Sequence, residues 1–149
     1  LCANGGSAAE SPLLAADSTG LFIKVRGLLA AMALSTDSSA LTCIANDYSF
    51  DDVFSRQVLG LGTTGDCLLA ISTSGNSRNV VRAVEAARGL GMHTIGLLGR
   101  DGGQLAALCE LAIVVPSNTT ARIQEAHILI GHTLCGMVEA ALQLASALA

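Results

Sequence analysis

The chain has 149 residues, 51% of them hydrophobic and only 13% charged, with a formal net charge of −4. This length fits one domain that buries roughly 70% of the surface its unfolded form exposes, and so little charge argues against disorder, a solvated coiled coil or a lone, fully wetted monomer. Lys and Arg number 8, scattered singly, and aromatics make up 3%, so the chain has neither a basic patch for phosphates nor stacking platforms for bases, and a nucleic-acid partner is not expected.

Leu1–Ala3 reads as the stub of a strand, and a start at Leu1 without Met leads us to expect further sequence upstream. Asn4-Gly5-Gly6-Ser7 then forms a loop before a helical pattern over 8–21. Ser7 and Glu10 have capping-box spacing, and two glycines let a backbone approach a ligand closely. A tight turn with a cap explains the same residues. Residues 28–34 have the length and apolarity of a strand, followed by helical patterns over 38–45 and 51–61. Asn46-Asp47 ends the first of these.

Gly60-Leu61-Gly62-Thr63-Thr64-Gly65 matches G-x-G-x-x-G. A dinucleotide fingerprint follows a strand and opens a helix. Here the glycines close a helix and lead into a strand, so they read as helix-end punctuation and no nucleotide cofactor is expected.

An apolar strand over 67–71 runs into Ser72-Thr73-Ser74-Gly75-Asn76-Ser77, and an amphipathic helix over 79–89 follows. At the carboxyl edge of a parallel sheet, hydroxyls, a glycine and the N–H groups of a helix start suit a phosphate without any lysine. A plain turn with a Ser cap is the alternative. Strands over 93–98 and 111–115 enclose a short helix over 104–109. The alternation predicts an α/β domain with a parallel sheet covered on both faces.

Residues 121–149 read as a long helix, apolar almost all round, with Glu139 the one charge after Glu125. Such a helix is buried in a large protein, an interface or a bilayer. His132, Thr133, Gly136, Glu139 and Gln143 interrupt the run, which favours subunit packing over a membrane span. Gln124 and His132 lie about 12 Å apart along this helix and can flank one ligand or ion, though a core or interface role suits a histidine here as well. Five cysteines without C-x-x-C spacing read as reduced thiols of a cytoplasmic protein.

Asn4-Gly5-Gly6-Ser7-Ala8-Ala9, Ala45-Asn46-Asp47-Tyr48, Ser72-Thr73-Ser74-Gly75-Asn76-Ser77 and Arg122-Ile123-Gln124-Glu125-Ala126-His127, in that order, resemble the sugar-isomerase (SIS) domain of the phosphoheptose isomerase family. The resemblance covers essentially the whole chain. It implies a single SIS domain over 1–149: a flavodoxin-like three-layer sandwich on a five-stranded parallel sheet, lacking the family's N-terminal helical segment. It also implies a cytoplasmic homotetramer that interconverts sedoheptulose 7-phosphate and D-glycero-D-manno-heptose 7-phosphate through an enediol, toward lipopolysaccharide-core heptose.

Carried over by position, Ser72, Thr73, Ser74 and Ser77 would grip the phosphate. Asn4, Gly5, Gly6, Ser7, Asn46, Asp47 and Gln124 would contact the sugar phosphate. Asp17 would be the base and His132 the acid, and Asp17, Gln124 and His132 would be the ligands of a zinc ion. The chain departs from the family in one region. Pro12-Leu13 replaces a Gln-His pair whose histidine binds zinc, Asp17 replaces a glutamate, and Leu21 replaces an arginine. These changes leave open a second reading, a phosphosugar-binding paralogue without catalysis that acts as a partner or regulatory protein. A third, an interaction protein without a ligand, has to explain both hydroxyl-rich loops as turns.

Overall fold

The computed structural model describes residues 1–147, with side-chain surroundings up to Gln143. Strands β1 (Cys67–Ser72), β2 (His93–Gly99) and β3 (Leu111–Val115) lie side by side in that order, all parallel. Side chains on successive strand residues point to opposite faces. Leu68, Ala70, Leu98 and Val114 accordingly enter one core cluster, and Leu69, Ile71, Leu97 and Ile113 enter the other. Helices α1 (Gly5–Thr19) and α6 (Thr120–Ala147) cover the second face. The first face carries α2 (Ser38–Asp47), α3 (Ser55–Leu61), α4 (Arg78–Gly89) and α5 (Gly103–Leu108). This is the expected three-layer α/β arrangement. Residues 148 and 149, the end of the predicted last helix, lie outside the described part.

The five-stranded sheet is a correction. Among the described residues the sheet has three strands, extended by a single parallel bridge of Cys2 with Ala70. Beyond it, Leu34 N donates to Leu1 O at 2.9 Å, and the Leu1 amino group donates to Met32 O at 2.7 Å. Five positions across the sheet are therefore marked, but the outer two are paired over only a residue or two. The predicted strand at 28–34 does not form, and the hydrogen bonds that join it to Leu1 involve Met32 and Leu34 at its end. Leu28 is 81% exposed, whereas Ala33 and Leu34 are buried.

Helix α4 follows its sequence closely. Val80, Val81, Ala83, Val84 and Ala87 are buried at helical spacing, while Arg82 and Arg88 face out. The predicted helix over 51–61 is split into a 3₁₀ turn (Phe50–Asp52) and α3. Asp51 and Asp52 reach α4 instead, pairing with Arg78 and Arg82 at 3.0 Å each. In α1 the chain passes through Pro12 without a break. Proline has no N–H for the Ala8 carbonyl, which instead accepts the Ser35 hydroxyl at 3.4 Å. The G-x-G-x-x-G glycines end α3, with Gly62 at its C-cap, as read from the sequence. No described helix is long and apolar enough to cross a membrane.

Candidate active site

Strand β1 ends at Ser72, and the chain turns through the hydroxyl-rich loop into α4. Ser72 Oγ lies 3.1 Å from Ser77 Oγ and accepts Gly75 N at 3.1 Å. Ser74 Oγ accepts Asn76 N at 3.2 Å. The loop is held from outside as well. Leu105 N donates to Gly75 O at 3.0 Å, and Gln104 N donates to Asn76 Oδ1 at 3.1 Å. Gly75 has φ +65°, and a Cβ there would run into the Gly102 carbonyl. Ser77 is the N-cap of α4, yet its side chain makes no capping bond, being turned to Ser72. The plain-cap explanation therefore lacks its defining contact, and the first N–H groups of α4 stay uncapped by it beside partly exposed Thr73 and Ser74.

The Asn4–Ser7 loop lies against the same edge. Asn4 and Asn79 exchange two amide hydrogen bonds of 2.7 and 2.8 Å, which tie the start of α1 to the start of α4. The expected capping box does not form. The helix begins at Gly5 with Asn4 at the N-cap, so Ser7 already lies inside it, 3% exposed. Burial pushes the Glu10 carboxyl up from its ordinary value. Gln124 on α6 reaches across to this end. Its Nε2 is 3.5 Å from Ser7 Oγ and sits where a Cβ on Gly6 would stand.

Helices α1 and α6 run parallel, since Gly6 faces Gln124, Leu14 faces Gly131 and Asp17 faces His132. Gly131 makes the approach close, because a Cβ there would lie 2.7 Å from the Leu14 side chain. Two turns beyond Gln124, His132 Nε2 stands 3.6 Å from Asp17 Oδ2. Phe22 packs against the His132 ring, with centroids 5.7 Å apart. The two residues read from the sequence as base and acid are thus neighbours, toward the opposite end of the α1–α6 contact from Ser7.

Asn46 and Asp47 are exposed at the end of α2, where Asn46 Nδ2 donates to Asp47 Oδ1 at 2.8 Å and Cys43 Sγ lies 3.4 Å from Asp47 Oδ2. The side-chain bonds of this pair run to each other and to Cys43.

A zinc ion needs at least three protein donors in a catalytic site. Asp17 and His132 supply two, and Leu13, one turn before Asp17, is a 45% exposed hydrocarbon. Gln124 is turned to Ser7, two turns away. Among the described residues no three His, Cys, Asp or Glu side chains converge on one point. The donor set does not fit a zinc centre within this chain.

Asn79 escaped the sequence reading, although a polar residue on the buried face of α4 was its signal. Arg26, Glu139 and Phe22 escaped it because their roles arise only from packing.

His127 is fully buried and its Nε2 lies 2.9 Å from Leu98 O, which makes that nitrogen the N–H donor. Its Nδ1 is buried without a partner. Burial lowers its pKa, outweighing the carbonyl bond that raises it. A depressed histidine contributes stability above its unfolded pKa of about 6.5, and that contribution is lost as pH falls below it. The melting temperature is expected to drop between pH 7 and pH 5 more steeply for the wild type than for His127→Gln. Parallel slopes would show that His127 does not carry the effect.

A family model for the SIS domain matches residues 1–99. Phosphoheptose isomerase of a Nitratiruptor species is 58% identical over 139 residues, covering 93% of this chain and 74% of that protein. Among solved structures, phosphoheptose isomerase GmhA from Neisseria gonorrhoeae superposes with a TM-score of 0.87 at 53% identity, over 93% of this chain and 74% of that one. A phosphoheptose isomerase from Francisella tularensis gives 0.88 at 38% identity, over 92% and 73%.

Proposed function

The chain belongs to the phosphoheptose isomerase family of SIS-domain proteins, and from this premise we propose that it interconverts sedoheptulose 7-phosphate and D-glycero-D-manno-heptose 7-phosphate through an enediol. The observation that carries the mechanism is the 3.6 Å approach of His132 on α6 to Asp17 on α1, two helices that also meet through Gln124 and Ser7 beside the Asn4 loop. In this reading Ser72, Thr73, Ser74 and Ser77 hold the phosphate at the positive end of α4. Asn4, Gly5 and Gly6 shape the neighbouring wall, and Ser7 with Gln124 contacts the middle of the extended sugar.

The Asp17 carboxylate takes the proton alpha to the carbonyl while the carbonyl oxygen is protonated, leaving an enediol, and Asp17 then returns its proton to the former carbonyl carbon. The His132 imidazole gives a proton to one oxygen and takes one from the other, a role its two ring nitrogens suit. Both groups end in their starting protonation states, as an isomerisation demands. Asn46 and Asp47, exposed at the end of α2, are in this reading further contacts to the sugar chain.

A homotetramer is part of the same reading. Leu21, Ile23, Val25, Leu28 and Met32, and Leu129 and Met137 on α6, are all large apolar side chains left exposed, and so much exposed apolar surface supports a partner. The five cysteines are free, which supports a cytoplasmic site of action.

The test is to incubate the protein with sedoheptulose 7-phosphate, with and without zinc, and to follow the aldose product by NMR. Equal turnover in both arms is expected, with a zinc response appearing only in Leu13→His. Zinc-dependent turnover of the wild type would overturn the metal-free reading. Saturable binding without turnover would make the chain a phosphosugar-binding paralogue.

A further inference from the structure

We propose that Arg26 and Glu139 are positioning residues that set the geometry of the Asp17–His132 pair; the inference rests on the roles given to that pair above. Both side chains are 4% exposed, with Arg26 Nε 3.6 Å from Glu139 Oε2. Arg26 Nη2 donates to the Asp17 carbonyl at 2.7 Å, and its Nη1 donates to Gly27 O at 3.0 Å. The guanidinium thereby grips the backbone of the base itself, in the last turn of α1.

Glu139 acts on the other partner. Its two oxygens accept Ile23 N at 3.3 Å and Lys24 N at 2.9 Å, next in the chain to Phe22. Phe22 is the ring that packs on His132 and stands over Gly136 of α6. Glu139 lies seven residues after His132, two turns along the same helix face. One buried ion pair therefore fixes the Asp17 backbone from one side and the ring that backs His132 from the other.

A buried pair of charges is a poor device for stability alone, because apolar replacements of similar size are often neutral or better. It is a good device for holding backbone groups in fixed places. A misplacement near 1 Å at a catalytic group costs about a hundredfold in rate.

The experiment compares two variants with the wild type. Arg26→Lys keeps the charge opposite Glu139, but one ammonium group cannot reproduce the planar fork that bonds the Asp17 and Gly27 carbonyls together. The paired change Arg26→Met with Glu139→Leu removes the charges without leaving either one orphaned. Both are expected to lower kcat at least about tenfold, to leave KM within about twofold, and to shift the His132 ring-proton resonances away from the Phe22 ring-current position. Arg26→Lys is expected to melt close to the wild type, whereas the double variant melts lower because the Ile23 and Lys24 N–H groups lose their acceptor, and both stay folded at the assay temperature. Wild-type kcat in folded Arg26→Lys, or unmoved His132 resonances, would overturn the inference while the isomerase reading stood. An inactive wild type would overturn both.

Discussion

Asp17→Asn and His132→Ala are each expected to lower kcat by about 10²–10⁴-fold while sugar-phosphate binding survives. Asparagine keeps the shape of aspartate but has no basic oxygen pair, so the alpha proton has nowhere to go. Alanine at 132 removes both the shuttle and the ring that Phe22 packs against. Neither residue is among the hydrogen-bond partners of the Ser72–Ser77 loop, and His132 lies about 12 Å beyond Gln124 along α6. Rate and affinity should therefore separate. NMR turnover gives the first and calorimetric titration gives the second. Wild-type kcat in either variant would remove that residue from the chemistry, and loss of binding equal to loss of rate would mean the residue holds substrate instead.

Gly75→Ala is expected to act at the other end, losing affinity for the sugar phosphate at least tenfold and lowering the melting temperature. A left-handed conformation costs a non-glycine residue about 1–2 kcal/mol, before any collision. Here the added methyl also meets the Gly102 carbonyl, so the loop must lift from the turn that leads into α5. The Leu105–Gly75 and Gln104–Asn76 hydrogen bonds would break with that movement. Gly60→Ala is the control, since Gly60 lies inside α3 with nothing within 4 Å of its added carbon. Alanine there should be neutral or stabilising. A Gly75→Ala protein that melts and binds like Gly60→Ala would show that the loop tolerates rearrangement and that its rigidity is not what holds the phosphate.

The parts of the molecule that were readable in the sequence are those whose cause is local. Strands β1, β2 and β3 are apolar runs between turn signals, and α4 carries its burial pattern in its valines. The place of the hydroxyl loop between a strand and a helix was legible for the same reason, as was the place of Gly60 and Gly62 at a helix end, because order along the chain decides both. The errors lie where a distant partner overrides the local rule. Asn79 engages the Asn4 side chain, and α1 starts at Gly5 instead of behind a Ser7–Glu10 box. Arg78 and Arg82 draw in Asp51 and Asp52 and split the predicted helix. Residues 28–34 have strand composition but only Leu1 beside them to pair with. Arg26 reads in the sequence as one of the scattered charges and Glu139 as an interruption of an apolar helix, and only tertiary packing turns them into a buried pair.

The bridge between Cys2 and Ala70 has a consequence for the chain during its synthesis. Ribosomes add about 5–20 residues each second, so the apolar stub waits several seconds before the strand it pairs with has been made. Over that interval Leu1–Ala3 has no sheet to join, while β1, α4 and β2 emerge close together and can pair as soon as they appear. A segment made early is thus held by a strand made later, and α1, which follows this stub directly, is tied to the sheet only once β1 is available.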